Sequence, residues 1–174
     1  MKRIRQEYQL LFWFASGIIP TAVLMNRLME SGLVNHRLLF EYLQQGWKKA
    51  AEGGTWVTWR IILTRLAETA LIAGLCRSRF RAAAVRVLPW MWGAATAVMM
   101  VLITWNRGVF GLVCFLIPVF PHGMVFGALW ILLLLRYAYR YEVRRGKFWS
   151  VAAALAASGI LLEIYVNPWF LKFV

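Results

Sequence analysis

Apolar positions gather into five blocks along the chain, separated by interruptions in which Arg and Lys predominate. The blocks cover about residues 8–25, 55–76, 87–105, 109–135 and 148–166. A helix crosses a bilayer core with about 20 predominantly apolar residues, and each block matches that requirement. Tryptophans mark the ends. Trp56 and Trp59 open the second block, Trp90 and Trp92 open the third, Trp105 closes it, and Trp149 and Trp169 bracket the fifth. An aromatic belt at a membrane–water boundary has this arrangement. The pattern predicts an all-α fold, a polytopic membrane helix bundle of about five transmembrane helices. It forms a single integral membrane domain, residues 1–174, with an outer amphipathic loop at about 27–54.

The fourth block is irregular. Its 27 residues, 109–135, exceed a simple span and are interrupted by "IPVFPHG". Pro118 and Pro121 each remove a backbone donor and disfavour helix just before them, and Gly123 adds local freedom. A strong kink or two half-helices is expected, with His122 near the break. Broken helices occur in transporters, where freed backbone groups face a cavity. His122 is read as a hydrogen-bonding partner for that backbone, not as a metal ligand.

Between the first two blocks, "NHRLLFEYLQQG" predicts a short helix with Asn35 as N-cap and Gly46 as its stop. Leu39, Tyr42 and Leu43 share one face, which suits a lid on the bundle or a docking surface lying on the outer membrane.

Composition strengthens the membrane assignment. Hydrophobic residues make up 61% of the 174 residues, and mean hydropathy is +0.62. The net charge of +13, from 20 Lys+Arg against 7 Asp+Glu, raises nucleic acid as a partner. The basic residues lie between apolar runs instead of on a polar face, so topology explains them better. Lys2, Arg3 and Arg5 fall on one side, together with Arg77, Arg79, Arg81 and Arg86, and with Arg136, Arg140, Arg144, Arg145 and Lys147. The opposite side has Arg107 and Lys172, and its larger loop balances Arg27, Arg37, Lys48 and Lys49 with Glu30, Glu41 and Glu52. The positive-inside rule then puts the N-terminus in the cytoplasm and the C-terminus outside. The opening "MKRIRQEYQLLFWFASGIIPTAVLM" starts like a secretion signal but lacks a small-x-small cleavage site. It reads as an uncleaved first transmembrane helix.

No catalytic constellation, phosphate loop or metal motif emerges, so neither an enzyme nor a cofactor is expected. Cys76 and Cys114 read as small buried apolar side chains. Ionisable groups within the spans are costly unless paired, which singles out Arg60, Arg65, Glu68 and Glu163. Arg65 and Glu68 are three apart and share a helix face. Counted from Trp56, Arg60 and Arg65 lie roughly 6 and 14 Å deep at ~1.5 Å per residue. If the fifth helix ends at Asn167-Pro168, Glu163 lies level with Arg60, and these two are expected to pair. The set can serve as a helix-packing lock, an ion or proton path, or a contact for another membrane protein.

Two stretches resemble the stage II sporulation protein M family. One is "NRGVFGLVCFLIPVFPHGMVFGALW" (106–130), a Gly-x-x-Gly opening, an apolar run, then Pro-His. The other is "GILLEIYVNPWFLK" (159–172), similar to that family's terminal helix with a Glu followed by Asn-Pro. Phe126, Ala128 and Leu129 depart from the family pattern after the Pro-His step. The resemblance implies that Pro121, His122, Gly123, Glu163, Asn167 and Pro168 are motif residues. It also implies a non-enzymatic scaffold in the bacterial cell membrane. Its partners would be the lipid bilayer and peptidoglycan hydrolases recruited at the outer face during forespore engulfment. The alternative is a small transporter or the membrane subunit of one, with a homo-oligomer, since five helices make a thin translocation path.

Overall fold

The computed structural model describes residues 2–138 and 145–171, and among these every regular element is helical. In order they are α1 (Lys2–Glu30), α2 (His36–Glu52), α3 (Thr55–Arg77), α4 (Arg81–Arg107), α5 (Gly111–Val119), α6 (His122–Leu133), α7 (Arg145–Leu161) and α8 (Asn167–Leu171). A 3-10 turn (Gly108–Phe110) leads into α5, and π-helical turns occupy Leu134–Ala138 and Leu162–Val166. Three stretches are long and apolar enough to cross a membrane: Tyr8–Glu30, Arg81–Ile117 and Gly146–Leu171. α3 matches them in length, but Arg60, Arg65 and Glu68 interrupt its apolar run. The apolar surface faces outward, with Leu11, Phe12, Ile19, Trp59, Leu63 and Leu161 all more than half exposed. Such a surface suits lipid as the solvent.

Contacts divide the chain into two compact units, residues 1–45 with 85–116, and residues 46–84 with 117–174. In the first unit, α1 and α4 run side by side in the same direction. Trp13 meets Arg86 near their starts, Gly17 and Gly93 meet in the middle, and Asn26 accepts a hydrogen bond from Trp105 Nε1 (2.8 Å) near their ends. The two glycines let the backbones touch. A Cβ on Gly17 would stand 2.1 Å from the Trp90 carbonyl oxygen, and one on Gly93 would stand 2.1 Å from that of Phe14. Small residues permit this close crossing between membrane helices. The chain then reverses. Gly108 takes a left-handed φ of 62°, and Gly111 comes back against the backbone of Ile103 and Thr104.

α2 begins where the sequence indicates, because Asn35 Oδ1 accepts the backbone N–H groups of Arg37 and Leu38. It does not stop at Gly46. The helix runs on to Glu52, and the stop falls to Gly53 and Gly54, with φ of 68° and 117°. Gly46 has no neighbour within 4 Å and is followed by the helix-favouring run Trp47–Ala51 (residues 47–51), so nothing at Gly46 ends the helix. Phe40 is its buried anchor, whereas Leu39 and Tyr42 are exposed.

The second unit is built on an antiparallel pair, α6 and α7. Phe126 lies against Gly159, and Tyr137 packs edge-on against Phe148 at 5.7 Å. His122, at the start of α6, lies near Glu163, just beyond the end of α7. α3 packs across them, and Ile72, Cys76, Phe126, Leu129, Leu133, Leu134 and Phe148 form the buried core. Helix is absent at Phe120 and Pro121, between α5 and α6, and the Phe120–Pro121 peptide bond is cis.

Candidate functional site

The polar residues of the second unit converge on one guanidinium. Arg65, in the middle of α3, donates from Nε and Nη2 to the two oxygens of Glu163 at 2.6 and 2.7 Å. Its remaining nitrogen, Nη1, donates to Glu68 Oε2 at 2.8 Å, one turn along the same helix. Beneath the guanidinium lies the Phe126 ring, 4.9 Å from its central carbon to the ring centroid. The fork–fork geometry is the strongest arrangement an Arg and a carboxylate can make. The aromatic face adds a cation–π contact in a place water scarcely reaches. Side-chain exposures of 21% for Arg65, 13% for Glu163 and 38% for Glu68 set the order of burial. The interhelical pair is the drier one.

Each partner reaches this point for a local reason. Glu163 sits in the π-helical turn Leu162–Val166, just before Pro168. Proline at 168 cannot donate to the Ile164 carbonyl, and its ring crowds that group in a regular α-helix. A wider turn before it lets the helix continue into α8. The helix therefore does not end at Asn167-Pro168, as the sequence had suggested, but reaches Leu171. That extension explains the other correction. Glu163 pairs about one helical turn further along α3 than the sequence count placed it, with Arg65 instead of Arg60. Arg60, five residues earlier on α3, is exposed and outside the cluster. The expected Arg65–Glu68 pair does form.

His122, the first residue of α6, is within electrostatic reach of both Glu163 and Arg65. It is only 6% exposed, and its Nδ1 has no hydrogen-bond partner. Asn167 Oδ1, one turn beyond Glu163, is likewise buried without a partner. Pro121 precedes α6 directly and Gly123 abuts Val119, so the Pro-His-Gly step packs at the junction between α5 and α6. The structure thus brings together Arg65, Glu68, Glu163 and His122, and leaves Arg60 apart.

Phe126 escaped the sequence reading, although its spacing carried the signal. His122, Phe126 and Trp130 recur at i, i+4 and i+8 on α6, and Phe126 faces a glycine on α7. Also unforeseen was a polar set in the first unit. There His36 Nδ1 and Asn106 Oδ1 are 3.2 Å apart, and Asn106 Nδ2 donates to the Leu102 carbonyl at 2.8 Å. It ties the start of α2 to the end of α4. Cys76 and Cys114 are both buried and free of disulfides. Among the described residues, no three His, Cys, Asp or Glu side chains group as metal ligands.

What this arrangement does chemically is close a charge cluster. Every nitrogen of the Arg65 fork that points to an acid is engaged, and the carboxylate opposite is held at both oxygens. Two acids against one guanidinium leave a formal excess of one negative charge, and His122 is the neighbouring titratable group. No family model, curated protein or solved structure matches the chain.

Proposed function

We propose that the chain is a non-enzymatic membrane scaffold of five spans that recruits cell-wall hydrolases at the outer face of a bacterial cell membrane. On this reading the N-terminus is cytoplasmic, the C-terminus lies outside, and the fourth span is interrupted at Pro118 and Pro121. The single observation that carries the non-transport, non-catalytic side of the proposal is the closure of the Arg65–Glu163–Glu68 cluster. A guanidinium already saturated by two carboxylates and stacked on Phe126 holds helices together. It leaves little capacity to bind and release a substrate.

Helix directions support the five-span topology. α1 and α4 run in parallel; if both cross, the chain between them returns across the membrane, and α3 is the long helix available for it. On this reading α6 and α7 would make the last two crossings, and their antiparallel packing is what supports it. The particular task, engulfment of a forespore, rests on the resemblance of the Pro121-His122-Gly123 and Glu163…Asn167-Pro168 motifs to stage II sporulation protein M.

Affinity purification from the native host in mild detergent tests the reading. Recovery of a peptidoglycan hydrolase supports the scaffold, and deletion of the gene should then block engulfment. The second reading, a transporter subunit, is favoured by His122 with its unpartnered Nδ1 beside the α5–α6 junction. Recovery of an ATPase, or substrate flux in liposomes, would replace the scaffold with that reading.

A further inference from the structure

A second site lies in the first unit, far along the sequence from the charge cluster. Near the starts of α1 and α4 a cleft of about 290 Å³ is lined by Gln9, Phe12, Trp13, Val85 and Arg86. The Arg86 guanidinium stands 6.0 Å from the Trp13 ring, and Phe12 packs edge-on against Trp13 at 5.4 Å. No carboxylate is among the residues that line it. Arg86 is exposed, and among the described residues no ion pair engages it.

Depth matters as much as composition. The apolar run of α1 opens after the charged stretch Lys2, Arg3, Arg5 and Glu7, so Gln9, Phe12 and Trp13 lie within ~8 Å of its start at ~1.5 Å per residue. A guanidinium, an amide and an indole at that depth face the headgroup layer, where phosphates lie. Below them the outward surface is wholly apolar, with Phe12 and Ile19, seven residues apart on one face of α1, 63% and 65% exposed. Lys2, Arg3, Arg5 and Glu7 precede the cleft in the sequence, three basic residues against one acid.

The geometry points to a bound phospholipid of the surrounding membrane, an anionic one, with its phosphate on Arg86, its glycerol backbone against Gln9 and Trp13, and an acyl chain along Phe12 and Ile19. Arg can grip a phosphate in two places, and an anionic headgroup is the occupant that complements a cleft with one cation and no acid. Basic recesses between membrane helices bind acidic headgroups for this reason. The site requires that α1 and α4 cross a bilayer, but it is independent of the scaffold role.

Native mass spectrometry of the full chain, released from nanodiscs containing phosphatidylglycerol and phosphatidylcholine, tests it. Wild type should retain one phosphatidylglycerol in preference to phosphatidylcholine. Arg86→Gln should retain roughly tenfold less. Trp13→Leu should weaken retention with the charge intact, and Arg37→Gln, on α2, should leave it unchanged. Equal retention by Arg86→Gln, or equal retention of both lipids by wild type, overturns the proposal. Release of the bound lipid by millimolar glycerol phosphate or inorganic phosphate would also overturn it, because the cleft would then be a free-phosphate site. Failure here leaves hydrolase recovery untouched, so the two proposals fail separately.

Discussion

Removing the carboxylate of Glu163 strands Arg65 in a half-dry contact with only Glu68 to answer it. Breaking one side of a buried pair costs about 3–5 kcal/mol, chiefly because the charge left behind has lost its compensation. Glu163→Gln is therefore expected to lower the thermal midpoint of the purified protein by many degrees. Arg60→Gln, at the exposed position, should leave it within the noise of a surface substitution. Arg65→Lys keeps the charge but loses the two-point grip, and should fall between them. A double change distinguishes packing from chemistry. Replacing both Arg65 and Glu163 by Met or Leu removes charge and counter-charge together, and such replacements are often neutral. If the pair serves only to lock α3 against the end of α7, the double variant should recover most of the stability lost by Glu163→Gln in the same melt. It should also keep whatever partner binding the wild type shows. Recovered stability with lost binding would assign the cluster a role beyond packing.

At the level of elements, the close crossing of α1 and α4 makes the sharpest demand. Gly93→Ala places a methyl 2.1 Å from the Phe14 carbonyl oxygen, which is backbone and cannot rotate away. The helices have to separate, at a cost of about 1–3 kcal/mol for overpacking. Chemical unfolding in detergent should show the loss, with Gly17→Ala matching it. Gly46 is the opposite case. It sits in the interior of α2 with open space around it, so Gly46→Ala should stabilise that helix by about 0.5–1 kcal/mol, seen as slower amide exchange across residues 40–50.

These elements also show how far the sequence could be read. Apolar blocks and their basic separators located α1, α3, α4, the α5–α6 junction and α7, because burial in lipid leaves few ways to write a helix. Asn35 announced the start of α2 through its capping geometry. The misplacements share one cause. Gly46 and Asn167-Pro168 look like helix stops locally, yet whether a helix stops is decided by what can satisfy the backbone next. Helix-favouring residues follow Gly46, and a π-helical turn absorbs Pro168. The ion pair inherited that error, since its register was counted from Asn167-Pro168, which the helix passes through. Polar residues in apolar runs were visible from the start; which of them meet was not, because pairing depends on register to a single turn. The spacing of Phe126 put it on the face of His122, but an aromatic in an apolar helix carries no mark of the cation above it.

For the molecule as a whole, direction is the decisive property, and it follows from parallel α1 and α4. Their starts share one end of the first unit and their ends share the other. If both cross the membrane, Tyr42 in α2 and Val109 in the turn after α4 belong to one side, while Arg79, between α3 and α4, belongs to the other. The native cysteines are buried, so replacing Cys76 and Cys114 by Ala removes little and gives a clean background. Tyr42 and Val109 are 79% and 85% exposed, which makes each a suitable labelling position. In intact cells, a membrane-impermeant thiol reagent should modify Tyr42→Cys and Val109→Cys. On the proposed topology, in which the positive-inside rule keeps the basic cluster of residues 77–86 in the cytoplasm, it should reach Arg79→Cys only after permeabilisation. The inverse pattern would invert the topology and move the cleft of Arg86 to the outer leaflet. Labelling of all three from outside would mean that α3 does not cross, and a five-span scaffold could not be built from this chain. Arg65 and Glu163 would then lie in a surface layer, where an ion pair of this geometry contributes far less.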